Sequence, residues 1–90
     1  GKYGRLKQSY MKKYKISEYT EMLLSNELKS YLLDIEDECK DKLELLIKQM
    51  AEKENVTEEL KVNNQLEWVA RMNNIKNRAE EIILNEIIYL

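Results

Sequence analysis

Apolar positions recur along this 90-residue chain at helical spacings, and the phase of the recurrence divides it into four stretches. In the first, Tyr3, Leu6, Tyr10 and Tyr14 stand three or four residues apart and so share one side of a helix, with Arg5, Gln8, Lys12 and Lys15 opposite. A short second helix follows, with Ser17 as its N-cap and Tyr19, Met22 and Leu23 as its apolar residues. Asn26, in "LLSNEL", suits a helix-to-helix turn because asparagine tolerates left-handed backbone angles.

From Glu27 a single stripe runs through Leu28, Leu32, Ile35, Cys39, Leu43, Leu46 and Met50, predicting a third helix to about Glu54. "ENVTEEL" then reads as a stop and restart, with Thr57 as N-cap and Glu58 and Glu59 near the positive helix end. The fourth stretch presents Leu60, Trp68, Met72, Ile75, Ala79, Ile82, Ile83, Ile87 and Leu90 on one face, with a polar patch at Asn63, Asn64 and Gln65 where it can bend.

Helix lengths set the architecture. Residues 27–54 span roughly 42 Å and an unbroken helix over 58–90 roughly 50 Å, whereas a compact domain of this size has a radius of gyration of about 12 Å. Rods of that length must pair. The expected fold is therefore all-α and a single domain, with a basic short-helix segment over 1–25 and a long antiparallel helical hairpin over 26–90. The Ile- and Leu-rich "IILNEIIYL" places apolar side chains on more than one side of a helix. That excess, and the narrow stability margin of so short a chain, predict a homodimer in which Trp68, Met72, Ile75, Ile82, Ile83, Ile87 and Leu90 form core or dimer seam.

Composition agrees with the helical reading, because proline is absent and glycine occurs only at Gly1 and Gly4. No apolar run approaches the roughly 20 residues of a membrane-spanning helix, and one cysteine cannot make an internal disulfide. These features predict a cytoplasmic protein with no membrane partner. A chain opening on Gly1 rather than Met also reads as a piece of something longer.

Charge is distributed unevenly. Lys2, Arg5, Lys7, Lys12, Lys13 and Lys15 stand in the first fifteen residues with no acid, while residues 16–67 hold fourteen acids against six bases. Arg71, Lys76 and Arg78 are the only bases after that. Cationic segments thus flank an acidic middle.

Enzyme chemistry finds little footing. Histidine is absent, which removes the commonest general base and zinc ligand, and no glycine-rich loop can cradle a phosphate. Cys39, set in "EDECKD" and on the apolar stripe, reads as a small core residue whose thiolate the neighbouring carboxylates oppose. Asp34, Glu36, Asp37, Glu38, Asp41 and Glu44 spread around a helix and read as a solvated face rather than a metal cage. The expectation is a non-enzyme with no cofactor, no metal and no small-molecule substrate.

Nucleic-acid contact has two candidate carriers. A helix-turn-helix with its turn at Ser25 and Asn26 would present the acidic "ELKSYLLDIEDE" to a polyanion, which disfavours it. The basic outer face of the first helix is better suited to phosphates, and its tyrosines, if not core, could stack on bases. In "RMNNIKNRAEEI", Arg71, Asn73, Asn74, Lys76, Asn77 and Arg78 cluster without an acid among them, and Arg71, Asn74 and Arg78 fall within about 60° on a helix. Arg and Asn match guanine and adenine edges. The same surface also reads as a dimer seam, or as a solvated face in which Glu67 pairs with Arg71 and Glu81 with Arg78 or Asn77.

"GKYGRLKQSYMKKY", "LLSNELKSYLLDIEDEC" and above all "WVARMNNIKNRAEEIILNEIIYL" resemble the TnpV family, small proteins encoded within transposons and mobilisable elements of Gram-positive bacteria. The resemblance spans nearly the whole chain. Where the family commonly has Gly in the "LLSGKL" turn, this chain has Asn26. The resemblance implies an accessory protein of a mobile element, regarded as a DNA-binding or recombination accessory with no assigned catalytic residues, and strand exchange left to a separate recombinase. A module that recruits such a recombinase or a regulator, without touching DNA, is the competing expectation.

Overall fold

The structure is a computed structural model covering Gly1–Leu90. It is all-helical: α1 Lys2–Tyr14, α2 Ile16–Leu24, α3 Leu28–Lys53, α4 Glu58–Asn63 and α5 Gln65–Ile83, which passes into a π-helical segment Leu84–Ile88. The molecule measures 55 × 20 × 18 Å with a radius of gyration of 16.9 Å, far more extended than a globule of its length.

Two asparagines end helices in the same way. After α2, Asn26 adopts φ 65°, and the Glu27 N–H reaches back to the Met22 carbonyl at 2.9 Å. After α3, Asn55 adopts φ 57°, and the Val56 N–H donates to the Ala51 carbonyl at 2.9 Å. Both are left-handed terminations that satisfy carbonyls otherwise orphaned, and the second buries Val56.

Thr57 caps α4 by accepting the Leu60 N–H at 3.2 Å, as its position predicts. The bend expected at Asn63–Gln65 is a full break. Asn64 leaves helical geometry (φ −149°, ψ 82°), and its side chain accepts the Glu67 N–H at 3.2 Å, starting α5 afresh. An unbroken helix would forgo this cap. Ser17 does not cap α2, because that helix already begins at Ile16 and has no side-chain cap.

The main cluster joins Tyr3 of α1, Ile35 and Cys39 of α3, and Ile83, Ile87 and Ile88, with Leu6, Tyr31, Leu43, Leu46 and Leu84 packed around it. Of the predicted seam residues, Ile75, Ile83 and Ile87 are buried, Trp68 and Met72 half-buried, and Ile82 and Leu90 exposed at 36% and 65%.

The inward face of α1 differs from the stripe the spacing predicts. Tyr3, Gly4, Lys7 and Met11 are buried, Leu6 and Tyr10 half-buried, and Tyr14 exposed. Gly4 explains the rotation: a Cβ there would stand 3.2 Å from the Leu32 carbonyl oxygen, so its absence lets α1 settle directly on the α3 backbone.

Candidate nucleic-acid interface

The six N-terminal cations have three different surroundings. Lys2 pairs with Glu80, whose hydrogen bond raises the lysine pKa. Lys7 is not available to a ligand: it is only 5% exposed, and its ammonium donates to the carbonyls of Ile87 at 2.9 Å and Ile88 at 3.0 Å. This corrects its reading as a surface cation. Burial, ahead of the neighbouring Lys15, lowers the Lys7 pKa. The final turn of a helix presents carbonyls with no N–H partner and a negative dipole end, which is what attracts a cation there.

Arg5, Lys12 and Lys13 are exposed and Lys15 half-buried. None of these four makes an ion pair. Lys12 lies 5.5 Å from the Tyr19 ring centroid and Lys13 5.3 Å from that of Tyr14, contacts that leave their ammonium groups facing water. The Tyr10 ring is half-buried and packs at a tilt against Tyr14 and Tyr89, with centroids 5.0 and 5.5 Å away.

On α5, Ile75 and Ala79 are wholly buried and so point the polar residues outward, as the angular spacing predicts. Asn73, Asn74, Lys76 and Asn77 are exposed. Arg71 pairs with Glu67 at 3.3 Å. Arg78 is half-buried and holds both carboxylate oxygens of Glu54, at 2.7 and 2.9 Å, and the Asn74 amide oxygen at 2.8 Å. That arrangement raises the Arg78 pKa and lowers that of Glu54. Glu81 is not Arg78's partner. Glu54, 24 residues upstream, takes the role through tertiary packing that no local spacing reveals.

The two cationic segments are not neighbours. Lys2 lies against Glu80 and Lys7 against Ile87, so α1 runs beside the C-terminal end of the chain in the same direction as α5. Lys12 is therefore about 15 Å beyond Lys2 one way and Arg71 about 13 Å before Glu80 the other, leaving the clusters roughly 30 Å apart along the molecule.

One residue of consequence gave no sequence signal. Glu36, grouped with a solvated acidic face, is only 6% exposed, whereas Asp34, Asp37, Glu38, Asp41 and Glu44 are exposed. It accepts the Gly4 N–H at 2.9 Å, the main cause of its lowered pKa. Cys39 is wholly buried, and burial, then Glu38 and Glu36, push its thiol up to about 11. No helix is long and apolar enough to cross a membrane.

No curated protein and no solved structure matches the chain. The family model described as "Transposon-encoded protein TnpV" matches residues 1–88. With nearly every residue covered, the α1 cations and the "RMNNIKNRAEEI" block included, the chain belongs to the TnpV family of transposon-encoded proteins.

Proposed function

We propose that this protein is a non-enzymatic, cytoplasmic accessory of its mobile element that contacts DNA through the C-terminal half of α1. The observation behind this reading is the placement of Lys12, Lys13 and Lys15 together, without a carboxylate partner, while Lys2, Arg71 and Arg78 are each engaged by an acid. Unpaired cations release counterions from DNA, whereas paired ones must first give up a partner. Asn73, Asn74, Lys76 and Asn77 then form a second, weaker contact strip.

Fluorescence anisotropy with DNA of the element tests this. Binding should weaken steeply with salt, and exchanging Lys12, Lys13 and Lys15 for Glu should abolish it. Exchanging them for Ala should flatten the log-log salt dependence by about 2.7 for three phosphate contacts. Salt-insensitive binding, or unchanged binding by the Glu variant, would dismiss the reading.

A second reading, a dimeric helical module that docks a recombinase or regulator, is favoured by surface area. The chain exposes 6534 Å², against about 5,500 Å² for a monomeric protein of its mass. The excess is of the order that one side of a standard interface buries. In this reading α3 and α5 form a hairpin, supported by the opposite order of the pairs Lys42–Glu86 and Glu54–Arg78 along the two helices. Light scattering that shows only monomer at micromolar concentrations would count against the dimer.

A further inference from the structure

At the C-terminal end of α1 three tyrosine rings form a chain with Tyr10 in the middle. Tyr14 and Tyr89 flank it, their planes tilted from its own by 42° and 58°. The two outer rings are open to solvent, Tyr14 at 63% and Tyr89 at 46% exposure. Helical spacing puts Tyr14 on the side of the buried Tyr3, Lys7 and Met11, but α1 ends there and leaves it mostly uncovered.

Cations without carboxylate partners stand at the same end. The Lys13 ammonium lies 5.3 Å from the Tyr14 centroid, and Lys12 precedes it. Acids collect on another side: Glu18, Glu38 and Glu86 line a cavity with Lys7 and Lys15, a cavity that none of Tyr10, Lys13, Tyr14 and Tyr89 lines. They repel a phosphate from the Lys15 side, so a polyanion is drawn along Lys13 and Tyr14. An arriving phosphate takes the Lys13 ammonium a short distance off the ring, which frees the ring for a base.

We propose that this end of α1 takes single-stranded DNA, with an unpaired base stacked on Tyr14, the Tyr10 ring backing it, and Lys12 and Lys13 on the flanking phosphates. An open aromatic ring beside unpaired cations is the combination that holds a strand whose bases are free, because every base has a π-face. A duplex keeps its bases stacked inside and meets only the lysines, unless a base is extruded at further cost. The proposal rests on the DNA reading above and narrows its substrate to unpaired DNA.

Fluorescence anisotropy with the full chain compares four probes of roughly fifteen nucleotides: oligothymidylate, its duplex with oligoadenylate, an abasic strand with the same phosphates, and oligouridylate. Oligothymidylate should bind more tightly than the duplex and about tenfold more tightly than the abasic strand. Tyr14→Ala should weaken oligothymidylate about tenfold, leave the duplex within about twofold and keep the salt slope, whereas Tyr14→Phe should bind like the parent chain. Lys13→Ala should instead flatten the single-strand slope by about 0.7. The proposal is overturned if the abasic strand or the duplex binds as tightly as oligothymidylate, if oligouridylate binds more tightly, or if folded Tyr14→Ala binds undiminished. Should Tyr14→Ala fail to fold, the abasic strand and the parent chain decide the matter. In each overturning case, salt-sensitive duplex binding that is lost on exchanging Lys12, Lys13 and Lys15 for Glu leaves the DNA reading standing, and binding to no probe ends both.

Discussion

The Lys7 ammonium donates to the Ile87 carbonyl oxygen at 2.9 Å, tying the first helix to the end of the chain across 80 residues. A lysine that sequence alone assigns to a DNA-facing surface is instead a cap on the C-terminal turn. Together with its bond to Ile88, it satisfies two carbonyl groups that the end of the helix cannot.

Replacing Lys7 with Met should therefore lower stability by about 1–3 kcal/mol, the cost of leaving buried acceptors unpaired. DNA affinity should stay unchanged once the folded fraction is accounted for. Urea denaturation followed by circular dichroism, alongside anisotropy, separates the two effects.

Acid should weaken the fold through Glu36. Its pKa is lowered in the folded protein, so its contribution is fully present above the ordinary glutamate value of about 4.3 and is lost as pH falls through the folded-state value. Glu36→Gln should show a shallower loss of stability below pH about 4 than the parent chain. Identical slopes in thermal melts from pH 5 to pH 2.5 would remove Glu36 from this role.

Cys39 should resist thiol reagents. With no exposed surface and a pKa of about 11, it should remain unmodified by an aromatic disulfide reagent at pH 8 for as long as the protein stays folded. In denaturant it should react at once, since the thiolate is the reacting species. Rapid labelling of folded protein would show that the core around it opens.

At the α4–α5 break, Asn64→Ala should cost about 1 kcal/mol by removing the cap on Glu67. Arg78→Ala should leave stability nearly unchanged despite its two short bonds to Glu54, because both partners are substantially solvated. Its effect on DNA affinity should be small beside that of Lys12, Lys13 and Lys15. A large effect at Arg78 would instead place base or phosphate contact on α5.

Local chemistry was enough to specify the helices. The absence of proline, the stripe from Leu28 to Met50, the Thr57 cap and the left-handed Asn26 turn each act over a few residues and leave a readable spacing. The same holds for the outward projection of Asn73, Asn74 and Asn77, which follows from helical period once Ile75 and Ala79 are inside. Only tertiary structure decided the rest. The close seat of Gly4 on α3 turned the buried face of α1 toward Lys7 and Met11, Glu36 was drawn in to meet Gly4, and Arg78 found Glu54 rather than Glu81. Burial and pairing depend on which surfaces meet across dozens of residues, and residue spacing along one helix holds no record of that.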